Sequence, residues 1–127
     1  MIRVAIADDH PEMRVALQLL LSLSSAMEIV CVTSNGQEAV DCVKQIQPDV
    51  LVMDIHMPVL DGFEATKQIA GLSFPTRVIL ISTYIGHLFD MEAAAVGASG
   101  YIPKDDLPAL LLSAIETVHR GELFFAH

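Results

Sequence analysis

Apolar and polar positions alternate in two rhythms along this chain. Short aliphatic runs at 2–7, 28–33, 50–54, 77–82 and 100–103 are separated by stretches in which apolar residues recur at helical spacing. The run Val50-Leu51-Val52-Met53 has no polar break, the pattern of a strand covered on both faces, as in parallel sheets. Helices are expected over 11–23, 37–46, about 61 or 62 to 70, about 87–96 and 107 to about 120. Pro11 and Pro108 suit first helical turns, and Asp106 is placed to cap the last helix. On the first helix Met13, Leu17, Leu20 and Leu21 form a core-facing side, while Val15, Leu19 and Leu23 repeat every four residues on another. Strands alternating with helices predict a doubly wound parallel α/β sheet. Pro103, inside the fifth run, places that strand outermost, because proline cannot donate to a ladder on its missing N–H side.

If all strands point the same way, their carboxyl ends share one crevice, where open α/β sheets bind ligands. The first strand brings Asp8 and Asp9 there, the third Asp54, the fourth Ser82 and the fifth Lys104. Taken alone, Asp54 reads equally well as a solvated strand-end acid. Three converging carboxylates, however, repel one another and call for a cation. With hard oxygen donors on offer, Mg²⁺ is the natural ion. His10 and His56 flank the crevice without the spacing of a zinc site. A carboxylate beside Mg²⁺, a lysine and a hydroxyl has the parts for phosphoryl transfer onto Asp54.

Composition narrows the setting. The 127 residues are 53% hydrophobic, enough for one domain with its own core. No apolar run approaches the roughly 20 residues of a membrane helix, and no signal peptide opens the chain. Cys31 and Cys42 lie in strand- and helix-like contexts, which points to reduced thiols and a cytoplasmic location. The formal charge of −9 disfavours direct contact with DNA.

At these residues the chain resembles the receiver domain of bacterial response regulators. The resemblance rests on Asp8-Asp9-His10-Pro11, on Asp54-Ile55-His56-Met57-Pro58 followed by Asp61-Gly62, on Ser82, on Gly97-Ala98, and on Tyr101 before Lys104. Gly97-Ala98-Ser99-Gly100-Tyr101 and Val118-His119-Arg120-Gly121-Glu122 look most like the NarL/FixJ (LuxR-type) branch. The resemblance implies a flavodoxin-like (βα)5 sheet of strand order 2-1-3-4-5. It implies a switch rather than an enzyme, catalysing only its own phosphorylation and dephosphorylation. Asp54 would accept phosphate from a sensor histidine kinase. Asp9 and Asp54, with the backbone carbonyl of His56, would hold Mg²⁺ directly, and Asp8 largely through water. Lys104 would pair with the phosphoryl oxygens. Ser82 would turn towards them, and Tyr101 would change rotamer into the vacated space. Without the resemblance, Tyr101 reads as an edge aromatic packed on a helix and Ser82 as a turn hydroxyl.

The sequence departs from the family where Asp105, rather than a proline, follows Lys104. His56 and Tyr84 occupy the two positions that tune dephosphorylation in the family, and both are bulky, so slow loss of the phosphoryl group is expected. Exposed apolar stripes often mark interfaces. Val15, Leu19 and Leu23, with Leu88, Met91 and Leu112, are therefore candidates for a homodimer contact. Residues 1–120 read as the receiver and 121–127 as the start of a connection to an output domain absent from this chain. In the NarL/FixJ branch that domain is a helix-turn-helix DNA binder, through which alone DNA would be touched. Two rival readings remain: a receiver-like dimerisation or binding module without phosphorylation, and an aspartate-nucleophile phosphohydrolase.

Overall fold

The computed structural model describes residues 1–83 and 87–125. The elements run β1 (Ile2–Ala7), α1 (Pro11–Ser22), β2 (Met27–Thr33), α2 (Gly36–Ile46), β3 (Val50–Asp54), α3 (Gly62–Ala70), β4 (Arg77–Ser82), α4 (His87–Ala95), β5 (Gly100–Pro103), α5 (Leu107–His119) and β6 (Phe124–Phe125). All neighbouring strands are parallel, in the order β2-β1-β3-β4-β5-β6. Alternate strand residues face two cores. Ala5, Leu51, Met53, Leu80 and Tyr101 pack under α2, α3 and α4, whereas Val4, Ile6, Val52, Ile79, Ile81 and Ile102 pack under α1 and α5. Every residue of β3 is buried, as a strand covered on both faces requires. Leu17 and Leu21 of α1 are buried, and Met13 and Leu20 pack beside them.

Helix ends follow local chemistry. Asn35 caps α2 by accepting the Glu38 N–H at 2.9 Å, while the Glu38 carboxylate reaches back to the Ser34 N–H, also at 2.9 Å. Asp61 caps α3 through the Glu64 N–H at 2.8 Å. Asp106 does not cap α5. Lys104–Asp106 already coil as a short 3-10 turn, which carries the chain into the helix without a capping side chain.

The fifth strand is not the outermost. After α5, Gly121 takes φ +93° and the Gly121 and Glu122 N–H groups return to the Val118 and Thr117 carbonyls at 3.0 and 3.2 Å. This paired closure turns the chain back onto the sheet. Phe124 and Phe125 then pair with Gly100 and Tyr101, in the stretch read from sequence as the start of a connection. Among the described residues, β6 pairs with Gly100 and Tyr101, while Pro103 pairs with Ser82 of β4. Cys31 and Cys42 are free thiols, and burial, then the hydrogen-bonded Cys31 thiol, pushes Cys42 up to about 12. No helix among the described residues is long and apolar enough to cross a membrane.

Candidate functional site

β1, β3 and β5 deliver Asp8, Asp54 and Lys104 to one point because their carboxyl ends are in register across the sheet. The Lys104 Nζ lies 3.0 Å from Asp8 Oδ2 and 3.4 Å from Asp54 Oδ2. The three side chains are 9%, 0% and 3% exposed, so this is a buried triad of charges. Asp8 is fixed further by its own backbone: its N–H donates to the Thr33 carbonyl, and its carbonyl accepts Arg14 Nη1 at 2.7 Å. The His10 N–H donates to Asp8 Oδ1 at 2.9 Å, and its ring Nδ1 lies 3.3 Å from Asp8 Oδ1 and 3.1 Å from Asp9 Oδ1. The residue set aside on spacing thus sits over two of the acids, although its side chain is 63% exposed.

Burial raises the Asp54 pKa above its ordinary value, and the neighbouring Asp8 charge adds to the rise. Lys104 and a hydrogen bond from the His56 backbone oppose it. Lys104 thus favours the ionised carboxylate, while burial and Asp8 favour the protonated one and set the net direction. One ligand atom each from Asp8, Asp9, His10 and Asp54 lie within 4.8 Å of one another. Asp8 Oδ2 and Asp9 Oδ1 are buried and accept no hydrogen bond, their close contacts being the Lys104 and His10 ion pairs. Oxygen-rich, under-satisfied and negative, this donor set fits a hard divalent cation such as Mg²⁺.

The loop after β3 closes tightly below the acids. The Gly62 N–H donates to the Ile55 carbonyl at 2.7 Å, and a Cβ at Gly62 would collide with the Asp54 carbonyl oxygen. Gly36 gives the Leu60 carbonyl the same freedom. Within this loop Val59 adopts φ +71°, a conformation a β-branched residue rarely takes, and is 79% exposed.

Ser82 and Tyr101 are fully buried and share a hydrogen bond, so the tyrosine ring is already enclosed beside the serine. Tyr101 also stacks on Phe89 of α4, with ring centroids 6.3 Å apart and planes 11° apart. Phe89 stacks in turn on Phe63 of α3 at 6.4 Å and meets the His56 ring edge-on at 6.4 Å. This aromatic file was not foreseen from sequence; its one visible signal is a single aromatic on each of α3, α4 and β5. The Lys104–Asp105 peptide is trans. Tyr84 lies outside the described residues, as does the side chain of Leu88.

Among the interface candidates, Val15, Leu19 and Leu23 are 55%, 64% and 75% exposed along one side of α1. Leu19 and Leu23 border a groove of about 430 Å³ that Leu20 and Pro108 also line. Met91 is exposed on α4, whereas Leu112 packs against the core under α5.

A parallel sheet flanked by five helices, with acids, a hydroxyl and a lysine at its carboxyl edge, is the architecture of a signalling receiver. The chain belongs to the response regulator receiver domain family, whose model matches residues 4–116. It is 37% identical over 121 residues to the transcriptional regulatory protein LnrK of Bacillus subtilis, covering 95% of this chain and 55% of the relative. It is 37% identical over 124 residues to the oxygen regulatory protein NreC of Staphylococcus carnosus, covering 96% and 57%. The chain thus spans little more than half the length of these relatives. Among solved structures, the signal receiver domain of the response regulator NarL from Mycobacterium tuberculosis superposes with a TM-score of 0.91 at 31% identity, covering 95% of this chain and 98% of that one. A LuxR-family two-component response regulator from Aurantimonas sp. SI85-9A1 gives 0.91 at 31% identity, covering 96% and 87%. The molecule is a receiver domain of the NarL/LuxR type, a signalling module rather than a classical enzyme.

Proposed function

We propose that this receiver is a phosphorylation switch in which Asp54 accepts a phosphoryl group from the phosphohistidine of a sensor histidine kinase. The observation that carries it is the Lys104 ammonium held between Asp8 and Asp54 in a buried crevice. An Asp54 oxygen forms the new P–O bond as the P–N bond breaks, and the imidazole leaves with its electron pair. Lys104 stands where charge would collect on the transferring oxygens, and Ser82, at the end of β4, would give them a hydrogen bond. Asp9, Asp54 and the His56 carbonyl would hold Mg²⁺, with Asp8 behind them through water. When bound, the ion supplies neutralisation of phosphoryl charge.

In this reading, residues 1–120 form the receiver and the chain beyond leads to an output domain, of the helix-turn-helix type in the NarL/FixJ branch. That domain alone would touch DNA in the cytoplasm and regulate transcription. The exposed Val15, Leu19 and Leu23 stripe and its groove favour a second copy of the chain as partner. His56 and Tyr84 would slow hydrolysis of the acyl phosphate by crowding attacking water. Phosphate release from the modified wild type should therefore be slower than from a His56→Asn, Tyr84→Ala variant; equal rates would remove that role.

Incubation with Mg²⁺ and acetyl phosphate, followed by intact mass, tests the switch. One added phosphoryl group that disappears in Asp54→Asn is the expected result. Turnover of acetyl phosphate without accumulation would indicate a phosphohydrolase, and an unchanged mass a binding module without phosphorylation.

A further inference from the structure

We propose that β6 is a strap whose hold on the sheet is set by the Ser82–Tyr101 hydrogen bond, so that phosphorylation loosens it. This rests on the switch proposed above and names the route by which the signal leaves the site. The first support is attachment. Two residues of β6 are among the described ones, and the Phe124 N–H is held by the Ser99 carbonyl at 2.9 Å. Both phenylalanines remain half-exposed. A half-exposed strand at a sheet edge sits at the low-stability end of the fold.

The second support is register. Phe125 pairs with Tyr101, so their side chains leave the sheet on the same face, and both belong to the core under α4. Phe124 pairs with Gly100 and packs into the opposite core. A Cβ at Gly100 would stand 2.6 Å from the Phe124 carbonyl oxygen, so the strap requires glycine there. The reversal at Gly121 aims the chain at this edge.

The third support is competition for one hydroxyl. Ser82 serves Tyr101 in this structure, yet it ends β4 directly opposite Pro103, the residue before Lys104. A phosphoryl group on Asp54 recruits the same hydroxyl. Tyr101 then loses its polar anchor, and the side chain beside Phe125 on that face of the sheet becomes free to shift.

Amide hydrogen exchange at Phe124, read by NMR on the whole chain, tests this. Phosphorylated wild type, with the modification verified by intact mass, should exchange this amide roughly tenfold faster than the unmodified protein. Unmodified Ser82→Ala should already show the fast rate, Ser82→Thr should restore the slow one, and Gly100→Ala should mark the fully detached limit. Unchanged protection of β1 and β3 amides controls for folding. Equal Phe124 exchange in unmodified wild type and Ser82→Ala would overturn the strap whether or not Asp54 is phosphorylated. Absence of the mass increment would instead remove the switch, leaving the serine comparison to decide the strap on its own.

Discussion

At the carboxyl end of the sheet, two carboxylates and an ammonium are withheld from water; on the outer side of α1, three aliphatic side chains are given to it. Asp8, Asp54 and Lys104 are nine-tenths buried or more, whereas Val15, Leu19 and Leu23 are each more than half exposed. Each arrangement goes against the usual sorting of residues, and each does so for a different reason. Burying charge makes one carboxylate sensitive to what arrives beside it, since interactions strengthen where water is excluded. Exposing hydrocarbon costs the fold little, because apolar surface is common on proteins; it matters only where the residues are contiguous. The first region should therefore dominate stability and the second should dominate association.

Breaking the charged triad should have the largest effect. Lys104→Met leaves Asp8 and Asp54 facing each other, buried and without their cation. Removing one partner of a buried ion pair typically costs about 3–5 kcal/mol, so urea midpoints measured without divalent ions should fall steeply. A loss below about 1 kcal/mol would mean the triad behaves as a solvated surface pair.

Asp54→Asn should move stability the other way. The folded pKa of Asp54 lies above its ordinary value of 3.8, first through burial and then through Asp8. Between those two values the folded protein keeps a proton that the unfolded chain has released. Stability therefore falls as pH rises through that window and stays lowered above it. The asparagine variant lacks this slope, so the gap in its favour should open as pH climbs through that window and persist at neutrality. A variant no more stable than wild type at pH 7 would show that Lys104 fully compensates the burial.

The two regions also differ in how legible they were. The acids and the lysine could be found because each follows directly on an apolar run, and strand ends converge in a parallel sheet. The exposed stripe on α1 was equally plain, since helical period alone separates it from Leu17 and Leu21. What escaped depends on contacts between elements. Phe63, Phe89 and Tyr101 stack only because the packing of α4 sets Phe89 against both Phe63 of α3 and Tyr101 of β5, which no local pattern encodes. β6 was hidden by its brevity, although Arg120-Gly121 carried the signature of a helix that reverses. The cap assigned to Asp106 failed because a 3-10 turn does the same work with backbone bonds.

Val59 joins the two regions, being exposed and apolar yet in the loop that closes beneath Asp54. A left-handed conformation costs an ordinary L-residue roughly 1–2 kcal/mol, and a β-branched side chain feels it most. Asparagine visits that region more readily, so Val59→Asn should raise stability by about 1 kcal/mol. Thermal unfolding reads this directly, and a lower Tm would show that the Val59 side chain holds the loop through contacts of its own.

The smallest effect on the fold should come from the region that looks most out of place. Val15→Glu with Leu19→Glu changes two side chains that are 55% and 64% exposed. Substitutions at such positions usually stay within about 0.5 kcal/mol, so the urea midpoint should hardly move. Two carboxylates on facing copies would, however, meet across any contact made by this side of α1, and like charges brought out of water oppose association. Sedimentation should therefore show a lighter species than wild type at the same concentration, with folding intact. Unchanged mass would assign association to another face, of which Met91 on α4 is the exposed apolar candidate. A large loss of stability instead would mean that the stripe belongs to the core after all, and the contrast between the two regions would disappear.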